Sequence, residues 1–318
     1  MVEIFESYWW LLFPLGFFVA AGWGSFMRYK RTQAKIDLIK SYTAAGKEPP
    51  AALLASLVLR RWLFALVAAL LLCSGGWSVV EGLSAEQLGT WNDSDRLRIG
   101  LFNVNYGNSR HREIAEYLRD QELDLIVVQE ATPALFEELS RAFPAHQRIE
   151  HTRVDAFGMA FIARRPITAI ETMHWGRLDL PAFEITLELD GRPLYILAIH
   201  PIPPTTAGNA WERDLVLARA ADWSREHRGD GIIVGDFNAT PWSYAFERLV
   251  DKSGYVDSRR GHGHQTSWPR GLWPLSIPID HLLHSPVFTT LSRKTGPFLG
   301  SDHRPVLVEL GRAARGCP

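Results

Sequence analysis

Residues 232–243 read IIVGDFNATPWS, and the fold turns on how this stretch is read. Ile232, Ile233 and Val234 are β-branched and apolar, the composition of an interior strand. Thr240 followed by Pro241 predicts a helix start, with a capping hydroxyl and a proline in the first turn. Asp236 and Asn238 then fall on a short strand-to-helix turn, two residues apart, so their side chains share one side of the chain. Taken alone, the pair suits an ordinary turn. The rest of the chain gives it another meaning.

The same pattern recurs from Arg96 onward. Strand-like runs are RLRIGLFNV, LDLIVVQE, AFGMAFIAR, FEITLELDGRPLYILAIH, GIIVGDF, PIDHLL and PVLVEL. Helical periodicity marks SRHREIAEYLRDQ, TPALFEELSRAF, NAWERDLVLARAADWSREHRG and TPWSYAFERLV. Asp190-Gly191-Arg192 reads as a hairpin turn. Mixed strands with interspersed helices predict one α/β domain with two packed sheets, over residues 96–312. There is no GxGxxG, Walker loop or internal repeat.

Residues 8–26 and 62–80 carry no charged side chain, and each is 19 residues long. That length suits a hydrocarbon core of roughly 30 Å, so residues 1–81 are expected to form a two-helix transmembrane hairpin. The intervening loop, 27–61, holds eight basic residues against Asp37 and Glu48. Acids flank the hairpin outside: Glu3 and Glu6 before it, Glu81 and Glu86 after it. The positive-inside rule then puts the loop in the cytoplasm and the rest of the chain on the extracytoplasmic face of a bacterial-type inner membrane. Within the loop, Ile36, Leu38, Ile39 and Tyr42 form a rough stripe that suits either a leaflet-bound helix or a solvated connection. Residues 82–95 read as a linker and 313–318 as a tail. Residues 81–95 span at most about 50 Å, which keeps the domain near the bilayer.

The chain's net charge is −1, and residues 82–318 carry −4 of it. A dominant basic footprint for polyanions is absent, which disfavours tight duplex binding. Cys73 and Cys317 are not expected to pair, and no Cys/His spacing suits zinc.

Chemistry-bearing residues stand at the ends of the strand runs. Asn103 and Asn105 end the first, Gln129 and Glu130 the second, and His200 the fourth. Asp236 and Asn238 end the fifth, Asp280 heads the sixth, and Asp302-His303 precede the last. Packed sheets gather their loops at their ends, where such groups converge.

In order, FNVN, VVQE, AIHP, GDFN, IDH and GSDHRP resemble the endonuclease/exonuclease/phosphatase superfamily, over roughly residues 96–311. The resemblance implies a four-layer αββα sandwich and hydrolysis of phosphoesters with a divalent metal, Mg²⁺ or Mn²⁺ in its place. It implies that Glu130 and Asp302 bind the metal, a hard cation that prefers carboxylate oxygen. Asn103 and Asn238 would hold phosphate oxygens or the attacking water, and His200 would contact phosphate or protonate the leaving oxygen. Asp236 would orient or deprotonate water, and His303, steadied by Asp280, would act as base or phosphate contact. Asn105 stands where many members carry an acid, so its place among the metal ligands does not carry over cleanly. His281 and Asp124 are read as structural. The implied partners are the membrane and a phosphoester, either nucleic acid or lipid headgroup, with no protein partner expected.

Two other classes compete. A calcineurin-type phosphoesterase needs GDxxD and GNH; the third residue after Asp236 is Ala239, and GNH does not occur. An inactive tethered binding module is disfavoured because Glu130, His200, Asp236, Asp302 and His303 are all present. In WPRGLWPLSIP (268–278), Trp268, Trp273 and Leu275 are expected to pack inward, the alternative being an apolar lip for lipid.

Overall fold

The computed structural model describes residues 96–312, apart from 190, 264 and 272–275. The expected hairpin, its loop, the linker, the tail, Trp273 and Leu275 all lie outside the described residues. Among those described, no helix is long and apolar enough to cross a membrane.

Two six-stranded mixed sheets pack face to face. The first holds β1 (Arg96–Asn103), β2 (Leu125–Gln129), β3 (Gln147–His151), β4 (Met159–Ala163), β11 (Phe288–Thr295) and β12 (Val306–Arg312). Its order is β11-β12-β1-β2-β4-β3. The second holds β5 (Ile167–Trp175), β6 (Leu180–Leu189), β7 (Arg192–Ile199), β8 (Gly231–Asp236), β9 (Val256–Asp257) and β10 (Asp280–His284), in the order β5-β6-β7-β8-β10-β9. Helices α1 (His111–Arg119) and α2 (Pro133–Ala142) join the first sheet; α3 (Ala207–Glu226) and α4 (Tyr244–Ser253) join the second.

The period of two in the strands sorts side chains between layers. Leu97, Ile99 and Leu101 of β1 and Leu125 and Val127 of β2 meet Ile196, Ile232 and Val234 between the sheets. Phe102, Ile126 and Val128 face outward onto Ile114, Leu118, Leu135 and Leu139 of α1 and α2. On the far side Leu197, Ile199 and Ile233 pack on Leu217, Ala220, Phe246 and Leu249 of α3 and α4. Each large apolar side chain so buried contributes about 1.5–3 kcal/mol. Three apolar interfaces make four layers, helix–sheet–sheet–helix.

The helix after Asp236 starts later than Thr240-Pro241 predicts. Ser243 N donates to the Thr240 carbonyl at 2.9 Å, so Pro241 occupies a turn. Ser243 then caps α4, accepting from Phe246 N. Strands β3, β5 and β11 escape the sequence pattern for one reason. All three are sheet edges, and none presents an unbroken buried run.

Candidate active site

The parallel register of β1 and β2 sets Asn103 beside Gln129 and delivers Glu130 just beyond. In the other sheet, antiparallel β8 and β10 place Asp236 directly opposite Asp280. Both pairs lie at the same end of the sandwich. Gln129 ties the two sheets there. Its Nε2 donates to the Ile199 carbonyl at 2.8 Å, and its Oε1 accepts from Asp236 N at 2.7 Å. Gly235 makes this approach feasible, since a Cβ at that position would lie 1.9 Å from the Ile199 carbonyl oxygen.

Asn103 is the hub. Its Nδ2 donates to Glu130 Oε1 at 3.0 Å and to Asp236 Oδ2 at 3.1 Å. Its Oδ1 accepts from Asn105 N at 3.1 Å. Glu130 Oε2 accepts from Tyr106 N at 3.1 Å. Glu130, Asn105 and Asn238 all have left-handed backbones, with φ of 57°, 61° and 48°. Each such residue costs about 1–3 kcal/mol, strain that structures tolerate where geometry serves function. The turn after β8 is closed by Asn238 N donating to Asp236 Oδ1 at 2.9 Å, while Asn238 Nδ2 holds the Pro201 carbonyl.

His303 sits in the loop before β12. Ser301 pins that loop: its Oγ donates to the Asn103 carbonyl at 2.8 Å and accepts from His303 N at 2.9 Å. His303 Nδ1 lies 2.9 Å from Asp280 Oδ2, and its Nε2 lies 3.7 Å from Asp236 Oδ2. His200 Nε2 reaches the same Asp236 oxygen at 3.7 Å.

Burial sets the protonation states. It opposes a charge on His303, but Asp280 and Asp236 overcome it and raise the imidazole to about 10. Asp236 rises to about 7, pushed up by burial and Asp280 and held back by His303. His200 falls to about 4 through burial and the neighbouring His303 charge, so it is neutral at pH 7. Burial also raises Glu130 against the hydrogen bonds from Asn103 and Tyr106. Asp302 is lowered: burial pushes it up, but Asn105, the charge on His303 and Trp268 together outweigh that.

Asn103, Glu130, His200, Asp236, Asn238, Asp280, Asp302 and His303 all lie at this end of the sandwich. Asn105 does not stand in for an acid. Its Nδ2 donates to Asp302 Oδ1 at 3.0 Å and its Oδ1 accepts from Gly107 N at 3.0 Å, so both ends of its amide are engaged. Trp268 is half-buried; its indole N–H donates to Asp302 Oδ2 at 2.9 Å and its ring centre lies 6.4 Å from that of His303. His281 is structural, wholly buried with Nε2 2.9 Å from the Ala239 carbonyl. Asp124 is too, accepting from Arg98 N at 2.9 Å near the start of β2. Gln129 and Ser301 escaped the sequence reading as positioning residues. The only signal was a polar residue ending an apolar run in VVQE and a hydroxyl within GSDHRP.

The donor set fits a hard divalent cation at Glu130. Its partly buried carboxylate receives, among the described residues, two neutral hydrogen bonds, and burial still raises its pKa, so a cation beside it would be favoured. Asp236, Asp280 and His303 also bring ligand atoms within 4.8 Å of one another. There, however, Asp280 already engages Nδ1 and the imidazole is held as a cation, so a metal would have to displace that proton. The arrangement suits acid–base chemistry.

Residues 100–303 match the Endonuclease/Exonuclease/phosphatase family. The chain belongs to that family. No curated protein matches it at a significant level. Among solved structures, this family member is similar to D. rerio TDP2 complexed with single strand DNA product, at 18% identity and a TM-score of 0.57 over 68% of this chain and 99% of that one. An endonuclease/exonuclease/phosphatase from Bacteroides vulgatus gives 18% identity and 0.57 over 69% and 99%. Sphingomyelinase C from Streptomyces griseocarneus gives 15% identity and 0.50 over 69% and 99%. At such identities the likeness is one of fold. It agrees with the two-sheet sandwich built above from the strand patterns.

Proposed function

We propose that this family member is a metal-dependent phosphoester hydrolase, a phosphodiesterase or nuclease in which water attacks phosphorus. The observation that carries this is the Asn103 amide shared between Glu130 and Asp236, with His303 held against Asp236 by Asp280. It joins a partly buried carboxylate for a cation to an acid–base set within one hydrogen-bonded network. Glu130 would hold the Mg²⁺ or Mn²⁺, with Asp302 on the same side. A divalent ion held there would supply charge neutralisation at the phosphorus oxygens.

The chain's own residues divide the remaining work. Asp236, raised to about 7, is poised to orient a water and take its proton near neutral pH. His303, as a cation, offers Nε2–H to a phosphate oxygen while Asp280 fixes the other nitrogen. His200 is neutral, which favours phosphate contact over protonation of the leaving oxygen. Asn238 brings an amide without adding repulsive charge.

We further propose that the domain is tethered to a bacterial-type inner membrane on its extracytoplasmic face. The uncharged runs 8–26 and 62–80 and the basic loop between them support this reading. The tether favours a second substrate class, the lipid headgroup, beside nucleic acid. An inactive binding module is disfavoured because the acid–base set and Glu130 remain complete.

The test uses the full-length chain with Mg²⁺ or EDTA, on single-stranded and plasmid DNA and on sphingomyelin and phospholipid vesicles. EDTA-sensitive cleavage of DNA supports the nuclease, and headgroup release supports the lipid reading. Hydrolysis of neither, with soluble diesters also untouched, would sink the proposal.

A further inference from the structure

Strand β11 is an edge strand, and of its eight residues only Phe288 and Arg293 are buried. A β-bulge accounts for the second. The register with β12 shifts between Thr290 and Ser292, so Arg293 stands opposite Val308 and points where Val308 points, between the sheets. Without the extra residue the alternation would turn Arg293 to the outer face. Arg293 is 5% exposed, and both groups it bonds are neutral. Its Nη1 donates to Ser258 Oγ at 2.8 Å and its Nη2 to the Asp280 carbonyl at 3.0 Å. Burial lowers it to about 10, Asp257 and Asp280 raising it against Arg259, so it remains a cation at neutral pH. Burying a cation is costly, and an apolar side chain would fill the same place without that cost.

What Arg293 holds is the strand that carries Asp280. Strand β9 is only two residues long, and its pairing with β10 stops at Leu283 opposite Asp257. Just beyond, Ser258 N donates to the Leu282 carbonyl at 3.1 Å. The Asp280 carbonyl, two residues back along β10, faces the same way. Among the described residues no strand lies opposite it, because β9 has ended. Arg293 supplies the missing donor from the other sheet. Asp280 is therefore bound to the first sheet at two points. Its carboxylate meets His303 in the loop before β12, and its carbonyl meets Arg293 in the strand beside β12.

We infer that Arg293 is a positioning residue for the acid–base set: it fixes the Asp280 main chain against the sheet that carries His303, and so sets how Asp280 presents its carboxylate to the imidazole. This rests on the hydrolase reading above. Arg293 reaches no reacting group itself; it acts through Asp280. Misplacing a catalytic group by about 1 Å can cost about 10² in rate, which makes an unsupported strand end a poor place for Asp280. A planar guanidinium reaches two acceptors in one fixed geometry, whereas a shorter ammonium does not.

The test compares full-length wild type, Arg293→Met, Arg293→Lys and Phe288→Ala on bis-p-nitrophenyl phosphate with Mg²⁺. Proton NMR follows the downfield resonance of the His303 Nδ1 proton, assigned by its loss in Asp280→Asn. Arg293→Met should lower kcat by about 10–100-fold with KM within about twofold, and should move that resonance. Arg293→Lys should restore part of both. Phe288→Ala removes the other buried side chain of β11 and should lower Tm while keeping kcat and the resonance. An active wild type whose kcat survives in Arg293→Met within about threefold, or a loss that Phe288→Ala matches, overturns the positioning role alone. If Arg293→Met does not fold, Arg293→Lys decides, and wild-type kcat with an unmoved resonance overturns the role. A wild type inactive on this ester and on the DNA and vesicles above overturns the hydrolase reading. The resonance in the Arg293 variants then still shows whether Arg293 holds the Asp280–His303 pair.

Discussion

His303 is held between two buried carboxylates, with Nδ1 2.9 Å from Asp280 Oδ2 and Nε2 3.7 Å from Asp236 Oδ2. Asp280 is wholly inside the protein, so its contact fixes both the orientation and the charge of the imidazole. Asp280→Asn keeps the shape and removes the charge. The imidazole then loses the largest influence that raises it. Turnover should fall by about 10²–10⁴ with little change in KM, and His303→Ala should cost about as much. Asp236→Asn removes the proposed base and should fall in the same range. Rates within threefold of wild type in all three would refute the acid–base assignment; circular dichroism checks that the fold is kept.

Gln129 is the only described side chain that bonds backbone groups of β7 and β8 from the opposite sheet at the site. Replacing it with Leu would leave the Ile199 carbonyl and the Asp236 amide buried without that partner. Each such group costs about 1–3 kcal/mol. Urea unfolding of Gln129→Leu should therefore show a loss of about 2–5 kcal/mol. A loss under 0.5 kcal/mol would mean that the clamp is incidental.

Glu130 illustrates a conflict between stability and function. Burial raises its pKa, so its ionised form opposes folding at neutral pH in the absence of a cation. That penalty is absent below the unfolded carboxyl range and grows as pH rises through it. Glu130→Gln should hold or raise Tm in EDTA, yet lose the Mg²⁺-induced rise in Tm that wild type shows. The Mg²⁺ concentration needed for activity should increase at least about tenfold. An undiminished Mg²⁺ shift would place the ion elsewhere.

How much of this was legible follows from what a sequence encodes locally. Central strands announce themselves because both faces are buried: Leu125–Gln129 and Gly231–Asp236 are buried throughout. Their polar terminal residues therefore stood out, which is how Asn103, Glu130, Asp236 and Asp280 were found. Edge strands such as Ile167–Trp175 bury little and read as loops. Gln129 stood out as the polar end of a strand run, but its positioning role and that of Ser301 depend on partners 70 and 198 residues away, contacts that no local pattern carries. Hydrophobicity alone did not disclose that the Trp268 N–H serves Asp302.

The last prediction concerns pH and a residue outside the chemistry. His281 is fully buried between Phe237 and Phe246, with ring centres 5.2 and 4.4 Å away, and burial lowers it to about 4. Its folded pKa lies below the unfolded value of about 6.5. Above that value both states are neutral and the group contributes nothing to the pH dependence. As pH falls from 6.5 towards 4, the unfolded chain takes up a proton that the native state refuses, and stability is lost. Between pH 7 and 5 this amounts to about 2 kcal/mol. His281→Gln keeps an N–H for the Ala239 carbonyl but cannot titrate. Its unfolding free energy should therefore decline less over that range by about this amount, whereas parallel pH profiles for variant and wild type would show that His281 is protonated in the native core.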